Sequence, residues 1–326
     1  MNYMVSYVTC KKWHDYNLHQ RPEHQGFGGG MAVKTQRIVE ALGQQYYTQL
    51  TDDPNDIDAP VVLVEPLWFK LYNEDDNEHW EKITEIGKLN NRMLILVCSE
   101  FEVMRWEAKF RDAVLNTFDK ITCNCQYQAN IFSYYDITPD AILCDPVPMD
   151  VFMPPHDPVK ENSIVATGHV SWIKNVKAVI DAFKTFQDKG ISTTYIGSAG
   201  LWSKPDKSDP SVQLETELKS VTDNFYPSLS QMEVARTMQK NMFGLWLATH
   251  ECFGQAYAEM MATGLPVIAG KHGLKAERHC STSSDDIDLM IAEEEEYAAI
   301  ATWNRKWVKD NVSYEAFLKQ FTGVLR

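Results

Sequence analysis

At 326 residues the chain has the length for two ordinary domains, and its hydrophobic content of 44% with 23% charged residues is that of a globular protein able to bury a core in each. A formal net charge of −14 excludes a surface coated in basic patches for nucleic acid. Apolar runs such as Met93–Cys98 and Met242–Ala248 fall far short of the roughly 18 residues that span a bilayer, so no membrane span is expected.

The first residues lack a basic-then-apolar export pattern, and the seven cysteines, an odd number, include no C-x-x-C pair. A reducing cytoplasm is therefore the expected setting. In chain order, Met4–Cys10 reads as a buried strand. The first fifty residues are net positive, with Lys11, Lys12, Arg21, Lys34 and Arg37 against Asp15, Glu23 and Glu40. That bias is either chance or a face for an anionic ligand. Gly26-Phe-Gly-Gly-Gly-Met-Ala-Val-Lys34 is glycine-rich and precedes a helical pattern at Ala32–Leu42. Its glycines let backbone approach a ligand closely, but it is neither G-x-G-x-x-G nor a P-loop. Strand-like runs follow at Val61–Glu65, Met93–Cys98, Lys120–Cys123 and Ala141–Cys144, with helical patterns at His79–Leu89 and Phe101–Val114 between them. Alternation of this kind implies a parallel sheet with helices on both faces. Cys123-Asn-Cys125 reads as two thiols on a strand rather than a metal pair.

The pattern restarts after Cys144–Pro155, which holds four prolines and has the look of a linker. Strands are expected at Ser163–Thr167, Thr193–Ile196, Gly244–Thr249 and Pro266–Ala269. The clearest helix is Lys174–Lys189, with Val176, Val179, Ile180, Phe183 and Phe186 on one face and Gly190 at the expected left-handed stop. Ser230-Gln-Met-Glu233 has capping-box spacing, and Trp303–Phe321 reads as helical. The acidic runs Asp52–Asp58, Glu74–Glu78 and Glu293–Glu296 read as solvated, and Asp286-Ile-Asp288 as part of an exposed run rather than a metal site.

Two later motifs carry chemistry. Gly168-His-Val-Ser-Trp-Ile-Lys174 ends a strand in glycine and supplies His169 and Lys174 where open α/β sheets bind ligands. Glu251-Cys-Phe-Gly-Gln-Ala-Tyr-Ala-Glu259, followed by Gly264-Leu-Pro-Val-Ile268, is a turn, a short helix and the next strand. The amides of Phe253, Gly254 and Gln255 form an anion site at the helix start, and Glu251 and Glu259 flank it. Two carboxylates around a phosphate site suit a nucleotide sugar, with hydroxyls at both ends of a diphosphate.

The block Glu251–Gly273 resembles the signature of glycosyltransferase family 4, enzymes of the GT-B fold: two glutamates separated by seven residues, Phe-Gly after the first, and a small-Gly-x-Pro-Val turn after the second. Pro148-Met-Asp-Val-Phe, Gly168–Lys174 and Tyr195-Ile-Gly197 match further family segments. The resemblance implies an α/β fold with two facing Rossmann-like domains and a cleft: residues 1–148 for the acceptor, 149–302 for the donor, and a C-terminal helix over 303–326 that packs back on the first domain. It implies a retaining transferase that uses a nucleotide-diphosphate sugar, with UDP-sugar the expected co-substrate, and no other cofactor or metal. Lys174 and His169 would bind the diphosphate, Gly197 would face the nucleotide, Glu259 would hold the ribose, and Glu251 would contact the transferred sugar. Gly28, Gly29 and Gly30 would close over the phosphate. Two departures stand out: His169 replaces the usual arginine, and Cys98-Ser-Glu100 replaces the family's mid-domain histidine, leaving Glu100 as a residue to act on the acceptor.

Pro148-Met-Asp, Trp172-x-Lys174 and Met242-Phe-Gly-Leu-Trp-Leu are also similar to the DNA α-glucosyltransferases of T-even phages. This narrower resemblance implies 5-hydroxymethylcytosine in DNA as acceptor, and host cytoplasm as the setting for a phage-encoded enzyme. The alternatives are a transferase building glycans or glycolipids, a nicotinamide-dependent oxidoreductase, and a non-catalytic nucleotide-sugar-binding protein. The oxidoreductase lacks its glycine fingerprint here, and no basic amphipathic helix favours a lipid acceptor. Oligomeric state is not legible.

Overall fold

The computed structural model describes residues 4–9, 30–51, 53–66, 76–89, 91–98, 108–157, 159, 161–199, 209–249, 251–270 and 294–326. The chain forms two compact units. Among the described residues, one holds 4–9, Met31–Pro146 and Tyr314–Arg326, and the other holds Gly30 and Val147–Ser313.

The first unit is a six-stranded parallel sheet in the order β2-β1-β3-β4-β5-β6. Its strands are β1 (Met4–Val8), β2 (Tyr47–Thr51), β3 (Val61–Val64), β4 (Met93–Val97), β5 (Lys120–Cys123) and β6 (Ala141–Ile142). The intervening helices are α1 (Gly30–Gly43), α2 (Asp76–Gly87), α3 (Ala108–Thr117) and α4 (Gln126–Ser133). Alternate residues of each central strand face opposite sides. Val8, Val62, Val64, Leu94 and Leu96 pack with Ile83 and Ile86 of α2, Phe110 and Val114 of α3, and Phe132 of α4. Val5, Tyr7, Leu63, Ile95 and Val97 pack with Ile38 and Leu42 of α1 and with Phe317 and Phe321 from the end of the chain. Burial on both faces explains why these strands read as unbroken apolar runs.

The second unit is a five-stranded parallel sheet in the order β11-β10-β7-β8-β9. Its strands are β7 (Ser163–Thr167), β8 (Ser192–Ile196), β9 (Asn224–Tyr226), β10 (Phe243–Trp246) and β11 (Val267–Ala269). Its helices are α5 (Val176–Asp188), α6 (Pro210–Ser220), α7 (Gln231–Met238), α8 (Gln255–Ala262) and α9 (Glu294–Asn311), and α10 (Tyr314–Val324) returns to the first unit. The apolar stripe of α5 is buried as its spacing predicts, Gly190 has φ +74°, and Ser230 and Glu233 form the capping box.

Several boundaries move. The helix expected from Lys174 begins at Val176, because Asn175 takes a left-handed conformation (φ +52°) ahead of it. The helix expected at Phe101–Val114 is Ala108–Thr117, residues 101–107 lying outside the described set. The single C-terminal helix expected over 303–326 is two. Its break lies at Val312–Ser313, where the Val147 amide donates to the Val312 carbonyl at 2.8 Å and draws it out of the helical ladder. Strands β2 and β9 escape the sequence reading because both are edge strands, half-exposed and without an apolar run.

Candidate active site

In the second sheet the chain builds outward from β7 through β8 to β9, then crosses to the other side of β7 to lay down β10 and β11. The loops after β7 and β10 therefore leave the sheet at its topological switch point, where open α/β sheets hold ligands. These two loops carry His169, Lys174 and Glu251.

The β7 loop is firmly held. Gly168 and Gly197, at the ends of neighbouring strands, have φ of +149° and +139°. A Cβ at Gly197 would stand 1.9 Å from the Gly168 carbonyl oxygen, so the strand ends approach as only glycine allows. Gly197 is thus required by packing, and its amide donates to the Tyr226 carbonyl at 2.8 Å. The Tyr195 hydroxyl donates to the Gly168 carbonyl at 3.0 Å. At the far end of the loop, Asn175 Nδ2 donates to the Leu247 carbonyl at 3.1 Å, and the Thr249 amide to the Ile173 carbonyl at 3.3 Å. These bonds join the β7 loop to the segment after β10 on both sides of Lys174.

Lys174 Nζ donates to Glu251 Oε2, with the two side chains 30% and 20% exposed. The sequence places these residues 77 positions apart; the fold makes them an ion pair open to solvent. His169 Nε2 lies 3.0 Å from the Ala199 carbonyl oxygen, an acceptor only, so Nε2 carries the hydrogen. Burial pushes the imidazole below its ordinary value, the Ala199 hydrogen bond pulls it back up, and the Lys174 charge pushes it down again. Burial thus favours the neutral form of His169 beside Lys174.

Beyond Glu251 the chain turns at Gly254 (φ +84°) into α8. A Cβ at Gly254 would lie 2.6 Å from Trp246 Cζ2, so both conformation and space demand glycine. The Trp246 ring, centred 5.2 Å from Tyr257, is the wall that sets the turn. Phe253 and Gly254 are buried, Gln255 opens the helix, and Glu259 lies half-buried in its second turn. The free amides of a helix start sit beside the Lys174–Glu251 loop, a position that favours an anion.

The first unit treats charge differently. Lys34 and Arg37 of α1 are buried, as are Glu65 after β3 and Asp145 after β6. Lys34 Nζ stands 3.9 Å from Glu65 Oε1 and 3.6 Å from Asp145 Oδ1. Thr9 Oγ1 donates to Glu65 Oε2 at 2.6 Å, Thr35 Oγ1 to the same oxygen at 3.3 Å, and Asn124 Nδ2 to Asp145 Oδ2 at 3.2 Å. Burial raises both carboxyls above their ordinary range against the pull of Lys34. Lys34 and Arg37 thus belong to an interior network, which removes them from the anionic-ligand face suggested by the first fifty residues. Glu65 and Asp145 went unread as site residues; the signal for Glu65 is a carboxylate directly after the apolar run Val61–Val64.

Gly30 is the first residue of α1; Gly28, Gly29, Glu100 and Asp286–Asp288 lie outside the described residues. Cys123 is buried on β5, its thiol pushed up to about 11 by burial, and Cys125 caps α4. Among the described residues no helix is long and apolar enough to cross a membrane.

The sequence profile described as "Glycosyl transferases group 1" matches residues 152–320, just over half of the chain. The chain belongs to this family. No curated protein matches it in sequence. Among solved structures, a sucrose-phosphate synthase from Thermosynechococcus elongatus superposes with a TM-score of 0.72 at 14% identity, covering 100% of this chain and 98% of that one. HepE of Anabaena, in complex with UDP and glucose, gives 0.67 at 12% identity over 99% of both chains. A glycosyltransferase from Rickettsia africae gives 0.64 at 12% identity over 99% and 97%. The fold is the α/β GT-B fold of glycosyltransferases, and the protein is a group 1 glycosyltransferase.

Proposed function

We propose that this glycosyltransferase moves a sugar from a UDP-sugar to a hydroxyl acceptor with retention of configuration. The observation that carries the reading is the meeting of Lys174, Glu251 and the start of α8 at the switch point of one sheet, with Glu259 in the second turn of that helix. The similar HepE structure holds UDP and glucose, which supports UDP as the donor's nucleotide.

In this reading the diphosphate rests on Lys174 and the amides of Phe253, Gly254 and Gln255. Glu259 takes the ribose hydroxyls, Glu251 orients the transferred sugar, and the family resemblance assigns Gly197 to the nucleotide and Gly28–Gly30 to closing over the phosphate. As the bond from the sugar's anomeric carbon to the leaving phosphate oxygen breaks, negative charge grows on that phosphate. Fixed dipoles and a lysine stabilise it without reorganising. The acceptor oxygen attacks from the face the phosphate leaves, and its proton passes to the departing phosphate oxygen. No metal or further cofactor is required. His169, held neutral on Ala199, shapes the pocket rather than charging it.

For the acceptor, the likeness to phage DNA α-glucosyltransferases points to 5-hydroxymethylcytosine in DNA, with Glu100 as the residue to act on it and the host cytoplasm as setting. The burial of Lys34 and Arg37 leaves less basic surface for backbone phosphates, which ordinarily dominate DNA affinity. A glycan acceptor is the second reading that this burial favours.

The test is to incubate the protein with individual UDP-sugars and hydroxymethylcytosine-containing duplex DNA, then weigh the digested nucleosides. A nucleoside heavier by one sugar fixes donor and acceptor together. UDP-sugar hydrolysis or transfer to glycans alone overturns the DNA acceptor. Full turnover by Glu251→Gln at normal donor affinity overturns the role of Glu251.

A further inference from the structure

The sequence assigns Lys174 to phosphate and Glu251 to sugar, yet each side chain is the other's partner in the structure. Both sit on segments pinned to one another, through Asn175 to Leu247 and Thr249 to Ile173. The pairing is therefore built into the two loops rather than a chance meeting of mobile side chains. An ammonium engaged by a carboxylate has less to offer a phosphate, since the two anions compete for the same N–H donors.

We propose that Glu251 is a resident counter-anion of Lys174, which the donor diphosphate must displace and which reclaims the lysine as the nucleoside diphosphate leaves. This rests on the donor reading above and deepens it: Glu251 sets how tightly the nucleotide is held, separately from any contact with sugar. The partial exposure of both side chains suits an exchange. A pair with access to water reorganises at small cost, whereas a fully buried one loses several hydrogen bonds at once.

The test uses UDP, which has no sugar for Glu251 to touch. Its affinity is measured by calorimetry for the full-length protein and for Glu251→Gln, Lys174→Gln and the double variant, with thermal melts to confirm that each is folded. Freed of its competitor, Lys174 in Glu251→Gln is expected to bind UDP about two- to fivefold more tightly, the range of a partly exposed ion pair. In the Lys174→Gln background the same change is expected to have no effect, since no cation remains to release. Glu251→Asp, which withdraws the carboxylate by one methylene, is expected to fall between and serves if the glutamine variant does not fold.

Unchanged UDP affinity in Glu251→Gln overturns the exchange. So does tightening that persists undiminished without Lys174, because that is repulsion between two anions rather than competition for a cation. Failure of the unsubstituted protein to bind UDP defeats the donor reading itself and is distinct from both.

Discussion

In the first unit, the sheet's carboxyl end at the switch between β1 and β3 is filled by the protein's own charges, Glu65 and Lys34 with Asp145 beyond, their side chains 1%, 2% and 7% exposed. In the second, the switch between β7 and β10 carries Lys174 and Glu251 at 30% and 20% exposure, beside a helix start. Both places have the geometry in which open sheets bind ligands. Sheet topology marks where charge collects, while access to water decides whether that charge is architecture or machinery. Desolvated ions without their counter-ions are too costly to exchange, and half-exposed ones are not.

The largest effect is expected at Lys34. Its replacement by alanine withdraws the cation between two buried carboxyls and is expected to destabilise the fold by about 3–5 kcal/mol in denaturant titrations. The loss is expected to ease at acid pH. Both carboxyls have folded-state values above the ordinary 4.5 and 3.8, so the folded chain binds these protons more tightly than the unfolded one. Their contribution is present below the ordinary values and is lost as pH rises through the raised ones. Equal destabilisation at pH 5 and pH 8 would show that the network is held by packing alone.

Gly254→Ala is the next largest. A methyl group at φ +84° and 2.6 Å from the Trp246 ring strains the turn into α8, with an expected cost of about 1–3 kcal/mol. UDP affinity is expected to fall with it, because the amides at the helix start move; full affinity in a folded variant would place the phosphate elsewhere. The smallest effect concerns His169. With its folded value below 6.5, it gains charge only as pH falls into the acid range. UDP affinity of the unsubstituted protein and of His169→Gln is expected to agree within about twofold at pH 8 and to diverge in favour of histidine only as the pH is taken below 6.5. Titration of the nucleotide's own phosphate is common to both and cancels in the ratio. A constant ratio across that range would show that His169 never charges the site.

Much of this was legible in the residues. Central strands such as Met93–Val97 and Ser163–Thr167 are buried on both faces and read as apolar runs, and the stripe of α5 and the capping box of α7 are local patterns that the fold leaves intact. What escaped depends on neighbours distant in sequence. The edge strands β2 and β9 have no apolar signature, the break before α10 is made by Val147, and the demand for glycine at 197 comes from the backbone of Gly168. The site divides in the same way. The carboxylates at 251 and 259 and the lysine at 174 announce themselves by spacing, but their pairing, and the neutrality of His169 on Ala199, exist only once β7, β8 and β10 lie side by side.

The path of α10 bears on how the molecule is made. Phe317, Leu318, Phe321 and Val324 complete a core of the first unit, yet they are translated after every residue of the second. A chain emerging from the ribosome normally folds its N-terminal domain first. Here that order is inverted: the second unit has its whole sequence in hand while the first waits with one face of β1, β3 and β4 covered by α1 alone. Exposed apolar surface on an incomplete fold favours aggregation, so the stretch of synthesis before α10 emerges is where this half of the chain has least protection of its own.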